Sequence, residues 1–83
     1  MAQFEFRLAQ LSMGMTDGEV VQWYKAEGDH VVAGEPLLEI DTGKVSQDVE
    51  SPETGVLTRH VAQTGETLEV GGTLCVITLD DGA

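Results

Sequence analysis

Apolar residues recur along the chain as short runs of Val, Leu, Ile and aromatics that alternate with polar positions, and glycine-bearing turns separate the runs. No stretch sustains the 3.6-residue period of a helix, so the pattern predicts an all-β chain. Strands are expected near residues 2–8, 18–25, 30–32, 36–42, 45–49, 55–62, 67–70 and 73–79.

The runs themselves repeat. Shifted by 37 positions, the chain falls on itself with Gly18 on Gly55, Gly28 on Gly65 and Gly34 on Gly71. Val20 then meets Leu57, Tyr24 meets Val61, Val31 meets Leu68, Leu37 meets Leu74 and Ile40 meets Ile77. Self-similarity at a fixed offset implies two units of like structure. Neither four-strand half can bury an apolar face alone, so the halves are expected to pack face to face. The expected fold is a flattened barrel or sandwich of two four-stranded antiparallel sheets with approximate twofold internal symmetry, a barrel-sandwich hybrid. The segment from Ala9 to Asp17 is longer than its counterpart after Val49 and should form a surface loop that breaks the symmetry.

One turn is specified closely by alternation. Leu38, Ile40 and Thr42 share a side of one strand, and Val45, Gln47 and Val49 share a side of the next. A two-residue loop of Gly43 and Lys44 sets Thr42 opposite Val45, Ile40 opposite Gln47 and Leu38 opposite Val49, keeping the apolar positions on one face; an odd shift would turn one set to water. Gly43 in the first central position suits a type II′ turn, which needs positive φ there. Lys44 is then at the tip, flanked by Asp41 and Asp48. A lone lysine at a tip is ordinarily a solvated end. The repeat maps Lys44 onto Asp81, however, so the tip and the outgoing chain are expected at opposite poles, as a tethered carrier requires.

Length and charge narrow the function. Eighty-three residues make one domain, expected over 1–79, with Asp80-Asp81-Gly82-Ala83 (80–83) as the start of a linker or tail, and leave no room for a deep catalytic cleft. A net charge of -11 opposes nucleic acid and anionic membranes and favours basic partners, although a solvated face is the plainer account. Cys75 is the only cysteine, which excludes an intrachain disulfide and a multi-cysteine metal site. His30 and His60 have no ligand spacing, and Glu27 and Asp29 read as turn residues around Gly28. Met1-Ala2-Gln3-Phe4-Glu5-Phe6-Arg7 lacks the basic start and apolar run of a signal peptide, and no apolar stretch is long enough to cross a bilayer, so a soluble intracellular protein is expected. Of the adjacent Trp23 and Tyr24, at least one should be core.

The stretch Leu11-Ser12-Met13-Gly14-Met15-Thr16-Asp17-Gly18-Glu19-Val20-Val21-Gln22-Trp23 resembles a known family. So do Glu27-Gly28-Asp29, Ala33-Gly34-Glu35-Pro36-Leu37, Glu39-Ile40-Asp41-Thr42-Gly43-Lys44-Val45 and Ser51-Pro52-Glu53-Thr54-Gly55. The set is similar to the lipoyl domain of the dihydrolipoyl acyltransferase component of 2-oxo acid dehydrogenase complexes, in the biotinyl/lipoyl attachment family, and spans nearly the whole chain. The resemblance implies lipoic acid amide-linked to Lys44, with Asp41, Thr42, Gly43 and Val45 forming the turn that is recognised. The family usually has Asp before the lysine, where this chain has Gly43. The resemblance also sets the first loop beside the lysine turn, making Met13, Gly14, Met15 and Thr16 candidate partner contacts; the alternative is that Met13 and Met15 cover the end of the core. The domain is then a non-catalytic, monomeric carrier of acyl groups and two electrons for a pyruvate-type, other 2-oxo acid or acetoin-type system. Its implied partners are a lipoate-attaching enzyme, a 2-oxo acid decarboxylase, the acyltransferase core and dihydrolipoamide dehydrogenase, in bacterial cytoplasm or the mitochondrial matrix.

Other readings compete. Biotinyl carrier domains share the fold and the hairpin lysine, but usually flank it with methionines, where this chain has Gly43 and Val45. A glycine-cleavage-type carrier has extra terminal structure that this short chain lacks. Asp41-Thr42-Gly43 matches the aspartic protease tripeptide, but no second copy exists. Gly43-Lys44 lacks the surroundings of a phosphate loop, having Leu38 and Val45 where Gly and Ser or Thr belong. A carrier-like module that is never modified remains the third possibility.

Overall fold

The computed structural model describes residues 2–11 and 13–80. Its strands are β1 (Gln3–Arg7), β2 (Asp17–Trp23), β3 (His30–Val31), β4 (Pro36–Asp41), β5 (Ser46–Glu50), β6 (Gly55–His60), β7 (Thr67–Glu69) and β8 (Thr73–Leu79). They form two four-stranded antiparallel sheets, ordered β1-β8-β6-β3 and β5-β4-β2-β7. The all-β sandwich expected from alternation and repetition is the observed fold.

The layers are not the halves, which corrects the simplest picture of two packed repeats. β1 and β3 lie in one sheet with β6 and β8 of the second half, while β2 and β4 lie with β5 and β7. Backbone bonds explain the interleaving. Gly28 N donates to Leu57 O at 2.6 Å and Leu57 N to Asp29 O at 2.8 Å; their repeat mates do the same, Gly65 N to Val20 O at 2.7 Å and Val20 N to Glu66 O at 2.8 Å. Each half thus completes the other's strand with its own turn. Gly28 and Gly65 hold φ of 95° and 93°, a region that favours glycine, so the repeated glycine is required by the bend.

Four one-residue bulges, in two symmetry-related pairs, adjust which side chains face inward. Val21 is skipped between β2 and β4 as Thr58 is between β6 and β8. Leu37 is skipped between β4 and β5 as Leu74 is between β1 and β8. A bulge breaks the period of two, so neighbours can share a face. This is how Leu37 and Leu38, and equally Leu74 and Cys75, are all fully buried. With Val20, Leu57, Ile40 and Ile77 they make a core built from matching positions of both halves.

β2 and β6 stop two residues short of expectation, at Trp23 and His60. Tyr24 and Val61 still donate backbone bonds, to Leu37 O and Leu74 O, but the chain turns away after them. Trp23 packs against the core and Tyr24 faces out, as adjacent strand residues must. Of the expected tail only Asp80 falls among the described residues; 81–83, including Asp81, lie outside them.

Candidate functional site

The β4–β5 hairpin has the expected register: Leu38 faces Val49, Ile40 faces Gln47 and Asp41 faces Ser46. Thr42 N donates to Val45 O at 2.9 Å. Gly43 holds φ of 96°, and among the described residues no other type adopts positive φ, which matches the sign pattern of the expected turn. Side chains close it. Asp41 Oδ1 accepts the Gly43 N–H at 2.8 Å, and the Thr42 hydroxyl donates to Val45 O at 3.0 Å and lies 3.4 Å from Val45 N.

Lys44 and Val45 are exposed at this tip. Arg7 pairs with Glu5 at 3.1 Å and Lys25 with Glu35 at 3.4 Å, while Lys44 enters no ion pair among the described residues. An amine held out this way is open to an acylating enzyme, and among the described residues it makes no side-chain hydrogen bond or ion pair that modification would break.

The tip stands far from Ala2 and Asp80. β5 leads away from it for five residues, about 17 Å at strand rise. The turn at 51–54 beyond β5 meets the other end of the molecule, where Asp80 N donates to Thr54 O at 3.2 Å and Leu79 N to Ala2 O at 2.8 Å. His30 Nε2 lies 3.1 Å from the Asp80 carboxylate there. Ala2 and Asp80 therefore occupy one pole and Lys44 the other, along a molecule 39 Å in its longest dimension.

The first loop is on the Lys44 side. Glu19 pairs with Asp41, so the start of β2 at Asp17 reaches the level of the Gly43 bend. Thr16, just before it, accepts the Val70 N–H at 3.0 Å. The two methionines part company: Met15 is 6% exposed and belongs to the core, its sulfur accepting the Leu11 N–H at 3.3 Å, whereas Met13 is 92% exposed. Met15 thus takes the role of covering the core, which removes it as a surface contact in this conformation. Met13, Gly14 and Thr16 remain exposed.

Two features beside the hairpin are not legible in the alternation. Tyr24 donates its phenol to Asp48 Oδ1 at 2.7 Å, and that acceptor pushes the phenol pKa up to about 12. Gln22 donates to Glu39 at 2.8 Å on the same outer face. Asp48, one of the two aspartates that flank Lys44 in the sequence, is therefore committed to Tyr24. Cys75 is buried, and burial pushes its thiol up to about 12, so it offers no exposed sulfur near Lys44.

Residues 4–77 match the Biotin_lipoyl family, described as "Biotin-requiring enzyme". The chain is 46% identical over 65 residues to the dihydrolipoyllysine-residue acetyltransferase component of an acetoin cleaving system from Pseudomonas putida, covering 78% of this chain and 18% of that protein. It spans less than a fifth of the length of the curated relatives it matches. Among solved structures it is similar to the lipoyl domain of the 2-oxoglutarate dehydrogenase complex from Azotobacter vinelandii, with a TM-score of 0.73 and 28% identity over 89% of this chain and 94% of that one. A single-chain, multi-domain long-chain acyl-CoA carboxylase shares the fold, with a TM-score of 0.77 at 22% identity over 98% of this chain and 7% of that one. A match over residues 4–77 covers most of the chain and settles its membership: it belongs to the biotinyl/lipoyl attachment family.

Proposed function

We propose that this chain is a lipoyl carrier domain, with Lys44 bearing an amide-linked lipoyl arm that shuttles acyl groups and reducing equivalents between active sites of a 2-oxo acid or acetoin-type dehydrogenase complex. The observation that carries the reading is an exposed lysine on a bulge-free, two-residue bend at the pole opposite Ala2 and Asp80. The acyltransferase relatives and the solved lipoyl domain support lipoate over biotin, as do the non-methionine flanks Gly43 and Val45. The likeness to the carboxylase is at an identity that speaks for the fold alone.

The residues fit such a group because Lys44 projects into solvent with no competing ion pair among those described. As a neutral amine, Lys44 Nζ attacks the carbonyl carbon of a carboxyl-activated lipoate. The C–N bond forms as the bond to the activating group breaks, that group leaves with its electron pair, and the nitrogen releases a proton. The domain's charge then falls from -11 to -12. When attached, the lipoyl group supplies a disulfide able to take up two electrons and an acyl group. The protein's own part is to hold the attachment point out at the end away from Ala2 and Asp80, so that the cargo sweeps a volume at high effective concentration. The acidic surface favours basic docking faces on the decarboxylase, acyltransferase core, dihydrolipoamide dehydrogenase and lipoate-attaching enzyme. Bacterial cytoplasm or the mitochondrial matrix is the compartment consistent with those partners.

Intact mass tests the reading. Protein made in lipoylating cells should gain one lipoyl group; Lys44→Ala should abolish the gain and Lys25→Ala should not. A biotin-sized gain would move the domain to the carboxylase carriers, and no gain under excess ligase would leave an unmodified interaction module.

A further inference from the structure

We infer that Asp41 and Thr42 are positioning residues for the acylation of Lys44, acting through the backbone of the bend rather than by touching the incoming group. The inference rests on the lipoyl reading and says how this chain presents its amine.

The bend is exposed, with little packed around it. A Cβ at Gly43 would meet nothing within 4 Å, and Lys44 and Val45 are both exposed. What fixes the tip is therefore local. The Gly43 N–H points at Asp41 Oδ1 at 2.8 Å, holding the residue before Lys44 in its positive-φ state. On the other flank the Thr42 hydroxyl donates to Val45 O at 3.0 Å, beside the backbone bond from Thr42 N to the same oxygen at 2.9 Å. The same hydroxyl oxygen lies 3.4 Å from Val45 N. These two clasps bracket Lys44 on both sides. Glycine has the widest conformational freedom of any residue, so without the clasps the bend samples other states and the amine is aimed for only part of the time. A reacting atom held in one direction reacts faster than one that must be found, and the effect falls on the rate of the bound complex.

The test uses the whole chain with a lipoate-attaching ligase, lipoate and ATP, reading kcat and KM for the domain by intact mass and amide hydrogen exchange at Gly43 and Val45 by NMR. Asp41→Ala should speed exchange at Gly43 and lower kcat about five- to tenfold with KM nearly unchanged. Asp41→Asn keeps an acceptor oxygen and should restore both, although it removes the charge. Thr42→Val should speed exchange at Val45 and lower kcat, while Thr42→Ser should stay near the unaltered chain. Equal kcat and exchange in Asp41→Ala and Thr42→Val would overturn the inference. So would Asp41→Asn failing as badly as Asp41→Ala through a raised KM, because the ligase would then be reading the carboxylate itself. Those failures occur with the unaltered chain still modified at Lys44; a chain not modified at all overturns the lipoyl reading as well.

Discussion

Trp23 and His60 lie face to face, their ring centroids 4.0 Å apart and their planes 11° from parallel. They are 37 positions apart, so the repeat makes them equivalent, and the local twofold axis passes between the two rings. Their hydrogen bonds are reciprocal: Trp23 Nε1 donates to Ala62 O at 3.0 Å, and His60 Nε2 lies 2.9 Å from Lys25 O. Lys25 and Ala62 are themselves related by the same offset. Each ring thus ties down the turn that follows the other's strand, at the place where β2 and β6 stop.

This stack should show up as a coupling. In a double-mutant cycle of Trp23→Leu and His60→Ala, followed by urea unfolding, the two losses should be non-additive by about 0.5–1.5 kcal/mol. Strict additivity would mean that the rings are neighbours without being partners.

The symmetric glycines should differ in tolerance. An added Cβ at Gly55 would overlap Thr78 O and come within 3.0 Å of Leu79 Cα, all backbone that cannot rotate aside. At Gly18 it would meet Ile40 Cγ2 at 2.7 Å and Met15 Cε at 3.0 Å, the ends of side chains that can move. Gly55→Ala should therefore cost about 3 kcal/mol and Gly18→Ala about 1 kcal/mol. Equal shifts in the urea midpoint would contradict this.

Tyr24 is the chain's only tyrosine, so absorbance near alkaline pH reports it cleanly. Its folded pKa of about 12 lies above the ordinary 10.0, first because the neutral phenol donates to Asp48. A raised value means the folded state binds the proton more tightly, so this contribution to stability is complete below about pH 10 and is lost as pH rises through 12. Asp48→Ala should bring the titration midpoint down toward 10. A midpoint unmoved by that change would remove the bond as its cause.

Cys75, fully buried and with its thiol raised to about 12, should resist a thiol reagent at pH 8 in the unmodified folded protein and react rapidly in urea. Fast native labelling would show that the core opens around β8.

How much of this was legible along the chain follows from the range of the forces involved. Hairpin register, strand count and the position of Lys44 rest on a period of two and on glycine at a bend, which are properties of a few neighbouring residues. The 37-residue offset pairs Lys44 with Asp81, which lies outside the described residues; among those described, Ala2 and Asp80 bond at the end away from the bend, through Leu79 and Thr54.

The sequence alone determined an all-β chain of two like halves with one lysine at a tight bend. Only the tertiary structure decided that the halves interleave, that Leu37 and Leu74 bulge so their neighbours can also be buried, that Met15 enters the core while Met13 stays out, and that Tyr24 holds Asp48. The reason is physical. Alternation fixes which way a side chain points relative to its own strand, but its partners come from residues tens of positions away, brought near only when both halves close on a shared core.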